Sequence, residues 1–144
     1  MSPASSQRQL GRSIVAVLAG MFIAIVLTLV TDLVLHRLSV FPPMGERVPD
    51  RLLALATCYR VVFGVAASYL TAYLAPYRPI AHAMVGGAIG FAASLAGAIA
   101  TWNGGPAYEP HWYPVALVVL ALPQSWFGGW LRWRQLKRRY FVAA

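Results

Sequence analysis

Polar side chains at helical spacing are the first candidates for chemistry in this sequence. Thr28, Asp32 and His36 recur at four-residue intervals, which would place a hydroxyl, a carboxylate and an imidazole on one face of a helix. Tyr59 and Arg60 add a phenol and a guanidinium further along, and both groups can donate hydrogen bonds to a carboxylate. Such a set can form an ion pair, hold a small anion or polar solute, or relay protons.

The elements that must position these side chains are four long apolar segments, at residues 13–35, 52–75, 80–102 and 113–131. The chain is 59% hydrophobic and 11% charged, whereas soluble proteins contain about 25% charged residues. About 20 apolar residues are enough for a helix to cross the hydrocarbon core of a bilayer. The sequence therefore predicts an all-α, integral membrane, four-transmembrane-helix bundle in a single domain over 1–144, with a basic tail at 132–144.

Basic residues are concentrated at one end of this predicted bundle. They precede the first helix, separate the second from the third, and follow the fourth: Arg8, Arg12, Arg78, Arg132, Arg134, Lys137, Arg138 and Arg139. The loops at the other end carry acidic and basic residues together: Arg37, Glu46, Arg47, Asp50, Arg51 and Glu109. The positive-inside rule then predicts a multi-pass membrane protein with Arg78 and both termini in the cytoplasm.

The net charge of +8 follows largely from the cluster after the fourth helix. A basic cluster next to a membrane span either contacts the lipid bilayer and its anionic headgroups or serves as a topology signal alone. The residues of this cluster are Arg132, Arg134, Lys137, Arg138 and Arg139. No partner nucleic acid is predicted. The sequence contains no recognised nucleotide, metal or catalytic motif, so we predict no cofactor and do not favour an enzyme.

Arg60 is the charge that most requires a partner, because an arginine at the centre of a membrane helix costs about 2.5–3.5 kcal/mol on insertion scales. Its Cα lies about 13 Å inside the outer end of its helix, and that of Asp32 about 6 Å inside the end of the first helix. The long arginine side chain can cover this difference. Asn103 and His111 flank the neighbouring outer loop, so an outward-facing polar cluster is expected.

Three interpretations of this cluster remain open. The first is a structural ion pair between Asp32 and Arg60 that fixes two helices. The second is a site for a small anion, polar solute or proton relay. The third is a metal or catalytic site that combines Asp32 with His36, His111 and Glu109, although their spacing matches no recognised metal-binding pattern.

The fourth helix contains a proline whose consequences are also open. Pro123 frees the carbonyl of Val119, and Gln124 and Ser125 follow directly. Their side chains either satisfy the freed backbone or line a polar pocket. In the second case Gln124 would join Asp32 and Arg60 in a channel or carrier, formed by an oligomer because four short helices leave little room for a path within one copy.

Small residues at four-residue spacing predict where the helices pack, because membrane helices associate by close backbone approach. The third helix has the clearest set and is predicted to lie at the centre of the bundle or at a homodimer seam. The predicted packing residues are Gly64, Gly86, Gly90, Ser94 and Gly97.

Four stretches resemble those of small uncharacterised bacterial membrane proteins: Thr31-Asp32-Leu33-Val34-Leu35-His36, Tyr59-Arg60-Val61-Val62-Phe63-Gly64, Ala100-Thr101-Trp102-Asn103 and Trp112-Tyr113-Pro114. The resemblance implies the four-helix topology and supplies no activity. The extensive small-residue packing and the lack of a complete chemical motif instead predict a structural or interaction protein of the bacterial inner (plasma) membrane, such as an accessory subunit, with a homo-oligomeric or other membrane-protein partner. The alternative is a small solute, ion or proton channel or carrier.

Overall fold

The computed structural model describes residues 3–43, 46–104 and 110–142, with side chains described over 7–43, 46–104 and 110–138. Within these ranges the chain is entirely helical apart from its connections. The helices are α1 (Pro3–Arg37), α2 (Asp50–Leu74), α3 (Pro79–Thr101) and α4 (Trp112–Val142). Each is long and apolar enough to cross a membrane. The prediction of an all-α chain with four such helices is confirmed.

Two of the helices are longer than their apolar segments. α1 begins at Pro3 rather than near residue 13, and α4 continues to Val142 through the predicted basic tail. Hydropathy marks where a helix can contact lipid, but it does not mark where the helix ends. Glutamine, arginine and lysine are good helix formers, so both helices extend through their polar residues.

The chain reverses between successive helices at both ends of the bundle. Ser39 adopts a left-handed conformation with φ of 55° after α1, and the amides of Val40 and Phe41 return to the carbonyl of Leu35 at 2.9 and 3.2 Å. This geometry closes the end of the helix and folds Phe41 back toward it. Pro79 occupies the first turn of α3, where a proline costs no hydrogen bond.

The order of the helices around the bundle is α1, α2, α4, α3. Helices α2 and α3 each contact all the others, whereas α1 and α4 make no contact within the described residues. The packing of α1 against α3 is the weakest of the pairs that touch. We call the end where α1 begins and α4 ends the termini end, and the opposite end the distal end.

A small core closes the distal end. Phe41, Leu53, Ala56 and Tyr113 are buried together, between α1, α2 and α4. Tyr113 is 4% exposed, so it belongs to this core although its sequence position resembles that of an interfacial aromatic residue. The outward faces of all four helices expose large apolar side chains, among them Phe22 at 67% and Ile99 at 69%. Soluble monomers rarely expose contiguous apolar surface on this scale.

The glycines that allow the helices to pack closely are mostly not the predicted ones. A Cβ on Gly128 would lie 2.5 Å from the Val65 carbonyl oxygen, and one on Gly129 would lie 2.9 Å from the Ala83 Cβ. This pair of glycines therefore lets α4 approach both α2 and α3 at backbone distance. The signal available in the sequence was the four-residue spacing of Ala121, Ser125 and Gly129.

The predicted packing residues have different outcomes. Gly64 is at a contact, because its added Cβ would lie 2.5 Å from the Gln124 side chain. Gly90 and Gly97 have no atom within 4 Å of that position, and Gly86 has one atom at 4.0 Å. Gly90 and Gly97 thus make no close packing contact with the described residues of one copy, because both are exposed on α3. The homodimer seam remains a prediction.

Candidate functional site

The polar cluster forms around the carboxylate of Asp32, near the distal end of α1. Arg60 Nη2 donates to Asp32 Oδ2 over 2.8 Å, and the hydroxyl of Tyr59 donates to Asp32 Oδ1. Because Tyr59 and Arg60 are adjacent on α2, one turn of that helix binds both oxygens of a carboxylate on α1. The side chains of Arg60 and Asp32 are 27% and 26% exposed, so the pair is partly desolvated.

Two aromatic rings flank the guanidinium of Arg60. Its central carbon lies 5.5 Å from the ring centroid of Tyr113 and 5.9 Å from that of Tyr59. Both distances lie within the range at which a cation is attracted to the face of an aromatic ring. Arg60 therefore has a carboxylate on α1, an aromatic ring on its own helix and another on α4.

The other two members of the α1 triplet are not bound to the carboxylate. His36 Nδ1 lies 2.8 Å from the backbone carbonyl oxygen of Asp32, and its ring meets Phe41 edge-on at 5.3 Å. Thr28 lies one turn further along α1 toward the termini end, half-buried, with no side-chain hydrogen bond to the described residues. The three residues thus share one face of α1, but neither Thr28 nor His36 forms a hydrogen bond to the Asp32 carboxylate.

Asn103 and His111 contact residues other than those of the cluster. His111 Nε2 is 2.9 Å from the carbonyl oxygen of Trp102, and the two rings stack at 4.3 Å. Asn103 borders a separate apolar groove between α3 and α4. These contacts include neither Asp32 nor Arg60, so the described geometry does not assemble the expected pocket.

The proposed metal or catalytic constellation is not assembled among the described residues, where no three side chains of histidine, cysteine, aspartate or glutamate come together. Glu109, its fourth member, lies outside the described residues.

Gln124 belongs to a second polar region, a cavity of about 230 Å³ on the termini side of the ion pair. Its amide lies across Gly64, one turn of α2 from Arg60. The cavity lining includes Gln124 and Ser125 but neither Asp32 nor Arg60. The Ser125 hydroxyl donates to the carbonyl of Ala121 at 2.8 Å, not to the carbonyl that Pro123 frees. A path that joins Gln124 to the ion pair is therefore not formed in the described part of one copy.

A third polar contact, which the sequence pattern did not reveal, ties α1 to α3 near the termini end. His82 is 8% exposed, and its Nε2 lies 2.8 Å from Ser13 Oγ. Ser13 Oγ in turn donates to the carbonyl of Gln9 at 2.9 Å, and the His82 ring meets Tyr77 edge-on at 5.0 Å. The signal available in the sequence was a histidine in the first turn of an otherwise apolar helix.

Three basic residues on α4, after the fourth apolar segment, lie against aromatic rings. Arg132 lies 4.4 Å from the Tyr73 ring on α2, whereas Lys137 and Arg134 lie over Trp133 and Trp130 on their own helix. Arg132 thus contributes to packing between helices. The side chain of Arg139 lies outside the described residues.

These features define the class of the protein as an all-α bundle of four candidate membrane spans, held at its distal end by an ion pair. In comparisons with known proteins, no family model, curated protein or solved structure matches the chain.

Proposed function

We propose that this chain is a multi-pass protein of a bacterial inner membrane, with both termini in the cytoplasm, and that it acts as a structural or interaction module, an accessory subunit of a membrane assembly. Its exposed apolar helix faces support insertion in lipid. The orientation is supported by the unmixed basic charge at the termini end and the mixed charge at the distal end.

One observation carries the choice of a structural role over a channel or carrier. Both oxygens of Asp32 are already bound by Tyr59 and Arg60, and aromatic rings flank the guanidinium. A site for an anion or a proton relay needs a charged group that can exchange partners during the cycle. Here each charge is satisfied within the chain, as in a pair that fixes one helix against another.

The experiment compares assembly with transport. The full-length chain is purified in mild detergent, and the membrane proteins that copurify in stoichiometric amounts are identified and then measured in a strain that lacks the chain. An accessory subunit predicts that its partner becomes less abundant in that strain. No partner, with unchanged membrane assemblies, contradicts the proposal.

Transport is measured in parallel in liposomes loaded with a pH-sensitive dye. We expect proton and ion flux equal to that of empty liposomes. The decisive variants are Arg60→Ala and its control Arg51→Ala, which removes an exposed arginine at the start of the same helix. Flux that is lost in the first variant and kept in the second would establish the carrier instead.

A further inference from the structure

The cavity that contains Gln124 opens sideways, between α1 and α3. Ile25 of α1 and Ile89 and Gly90 of α3 line it and are themselves exposed, which places the opening between these two helices. Its inner wall is formed by α2 and α4, where Ser68 and Gln124 lie. The opening is a consequence of weak packing of α1 on α3, the least extensive of the contacts between helices.

The inner wall carries hydrogen-bonding groups without protein partners. Ser68 is 9% exposed and Thr71 is 3% exposed, and both line the cavity. Neither hydroxyl, nor the amide of Gln124, makes a side-chain hydrogen bond to the described residues. A buried polar group without a partner costs about 1–3 kcal/mol in proteins, so such groups are normally satisfied. Ser68 and Thr71 are buried and Gln124 is half-buried, and all three line the cavity without a hydrogen-bond partner among the described residues.

The chemistry of the cavity lining limits which ligand can form hydrogen bonds with Gln124, Ser68 and Thr71. No lining residue carries a charge, and the remaining surface comes mainly from glycine, alanine and isoleucine. A charged headgroup would enter without a counterion, at a cost of several kcal/mol. An uncharged hydroxyl or carbonyl group would instead replace the missing hydrogen bonds, and a hydrocarbon tail would fit the apolar opening.

We propose that this cavity binds the uncharged polar end of an amphiphile dissolved in the membrane, a molecule that carries hydroxyl or carbonyl groups on a hydrocarbon tail. Gln124, Ser68 and Thr71 bind the polar end, and the tail leaves between α1 and α3. A volume of about 230 Å³ accommodates a glycerol-sized or ring-sized group. The proposal does not depend on the accessory role, because it concerns a different part of the bundle from the ion pair.

The test measures ligand-induced stabilisation of the full-length chain in detergent. Two neutral probes represent the two sources of the chemistry: 1-dodecanoylglycerol, which carries two hydroxyl groups and an ester carbonyl, and a decyl-substituted benzoquinone, which carries carbonyl groups without a hydroxyl. The charged control is the phosphate ester of dodecanoylglycerol. We expect at least one neutral probe to raise the unfolding temperature saturably, by about 5 °C at tenfold excess over its Kd, and the phosphate ester to leave it unchanged.

Variants of the cavity decide whether the shift arises there. Gln124→Leu removes the amide and should abolish it. Gly90→Leu should also abolish it by filling the opening, whereas Gly97→Leu, on the same exposed side of α3 but outside the lining, should retain it. If Gln124→Leu does not fold, the two glycine variants decide. The proposal is overturned if neither neutral probe stabilises the chain, if the phosphate ester does so equally, or if Gly90→Leu retains the shift.

Discussion

Asp32 on α1 and Arg60 on α2 are joined by a hydrogen bond of 2.8 Å between Oδ2 and Nη2, and each side chain is about three-quarters buried. Each charge neutralises the other at a place where both side chains are only partly exposed to solvent. The neighbouring hydroxyl of Tyr59 occupies the other carboxylate oxygen. One turn of α2 thereby sets the position of α2 against α1.

A double-mutant cycle on this pair tests that role. Asp32→Ala and Arg60→Ala should each lower the free energy of unfolding, because each leaves a partly buried charge without its partner. The double variant should cost less than the sum, with an interaction energy of about 0.5–3 kcal/mol. Unfolding in mixed detergent micelles measures all three. Additive losses would show that the two side chains do not interact in the folded state.

Tyr59→Phe removes one hydrogen bond to the carboxylate and keeps the ring. We expect a loss of about 0.6 kcal/mol, the average for a hydrogen bond between membrane helices. The loss should disappear in an Asp32→Ala background. Tyr73→Phe is the matched control on the same helix, since its ring is the part that contacts Arg132. Equal losses from both tyrosine variants would contradict a specific contact with Asp32.

Four glycine-to-alanine variants separate packed glycines from exposed ones. Gly128→Ala and Gly129→Ala should destabilise the bundle, because the added methyl would lie within 3.0 Å of atoms on α2 or α3. Overpacking of this kind costs about 1–3 kcal/mol. Gly90→Ala and Gly97→Ala meet open space and should leave the monomer as stable or more stable. Thermal unfolding at low protein concentration is the measurement.

The same exposed pair also tests the homodimer seam. If Gly90→Ala or Gly97→Ala weakens self-association, measured by energy transfer between labelled chains in lipid, then a second copy covers this side of α3. Unchanged self-association would show that neither glycine lies in a dimer interface.

The contact between His82 and Ser13 should hold α1 against α3, where the two helices otherwise pack weakly. His82→Ala and Ser13→Ala should each increase hydrogen exchange of the first turns of α3, and the double variant should add little. Thr101→Ala is a suitable control, because its hydroxyl bonds only to backbone carbonyls of its own helix. Independent effects of the two variants would exclude a direct contact.

The proposed orientation is tested by cysteine accessibility in intact cells. With Cys58 replaced by serine, Gln7→Cys reports on the termini end and Arg47→Cys on the distal end, and both positions are exposed. A membrane-impermeant maleimide should label Arg47→Cys in intact cells and label Gln7→Cys after lysis alone. The reverse pattern would place the termini outside.

The sequence by itself determined the helices and much of their character. Apolar segments of sufficient length predicted four helices, since hydropathy and local periodicity are properties of contiguous residues. It also identified Arg60 as a charge in need of a partner and Asp32 as the carboxylate within reach. The ends of α1 and α4 were not predictable in this way, because polar helix formers continue a helix beyond the apolar segment.

The tertiary structure decided which helix lies opposite each face. Periodicity tells which residues share one side of a helix, but Gly90 and Gly128 look alike in sequence, and their surroundings depend on the order of helices around the bundle. The same order separates Gln124 from Asp32 and places it in a cavity between α1 and α3. Contacts between helices depend on rotation and crossing of the packed helices, which no local pattern contains.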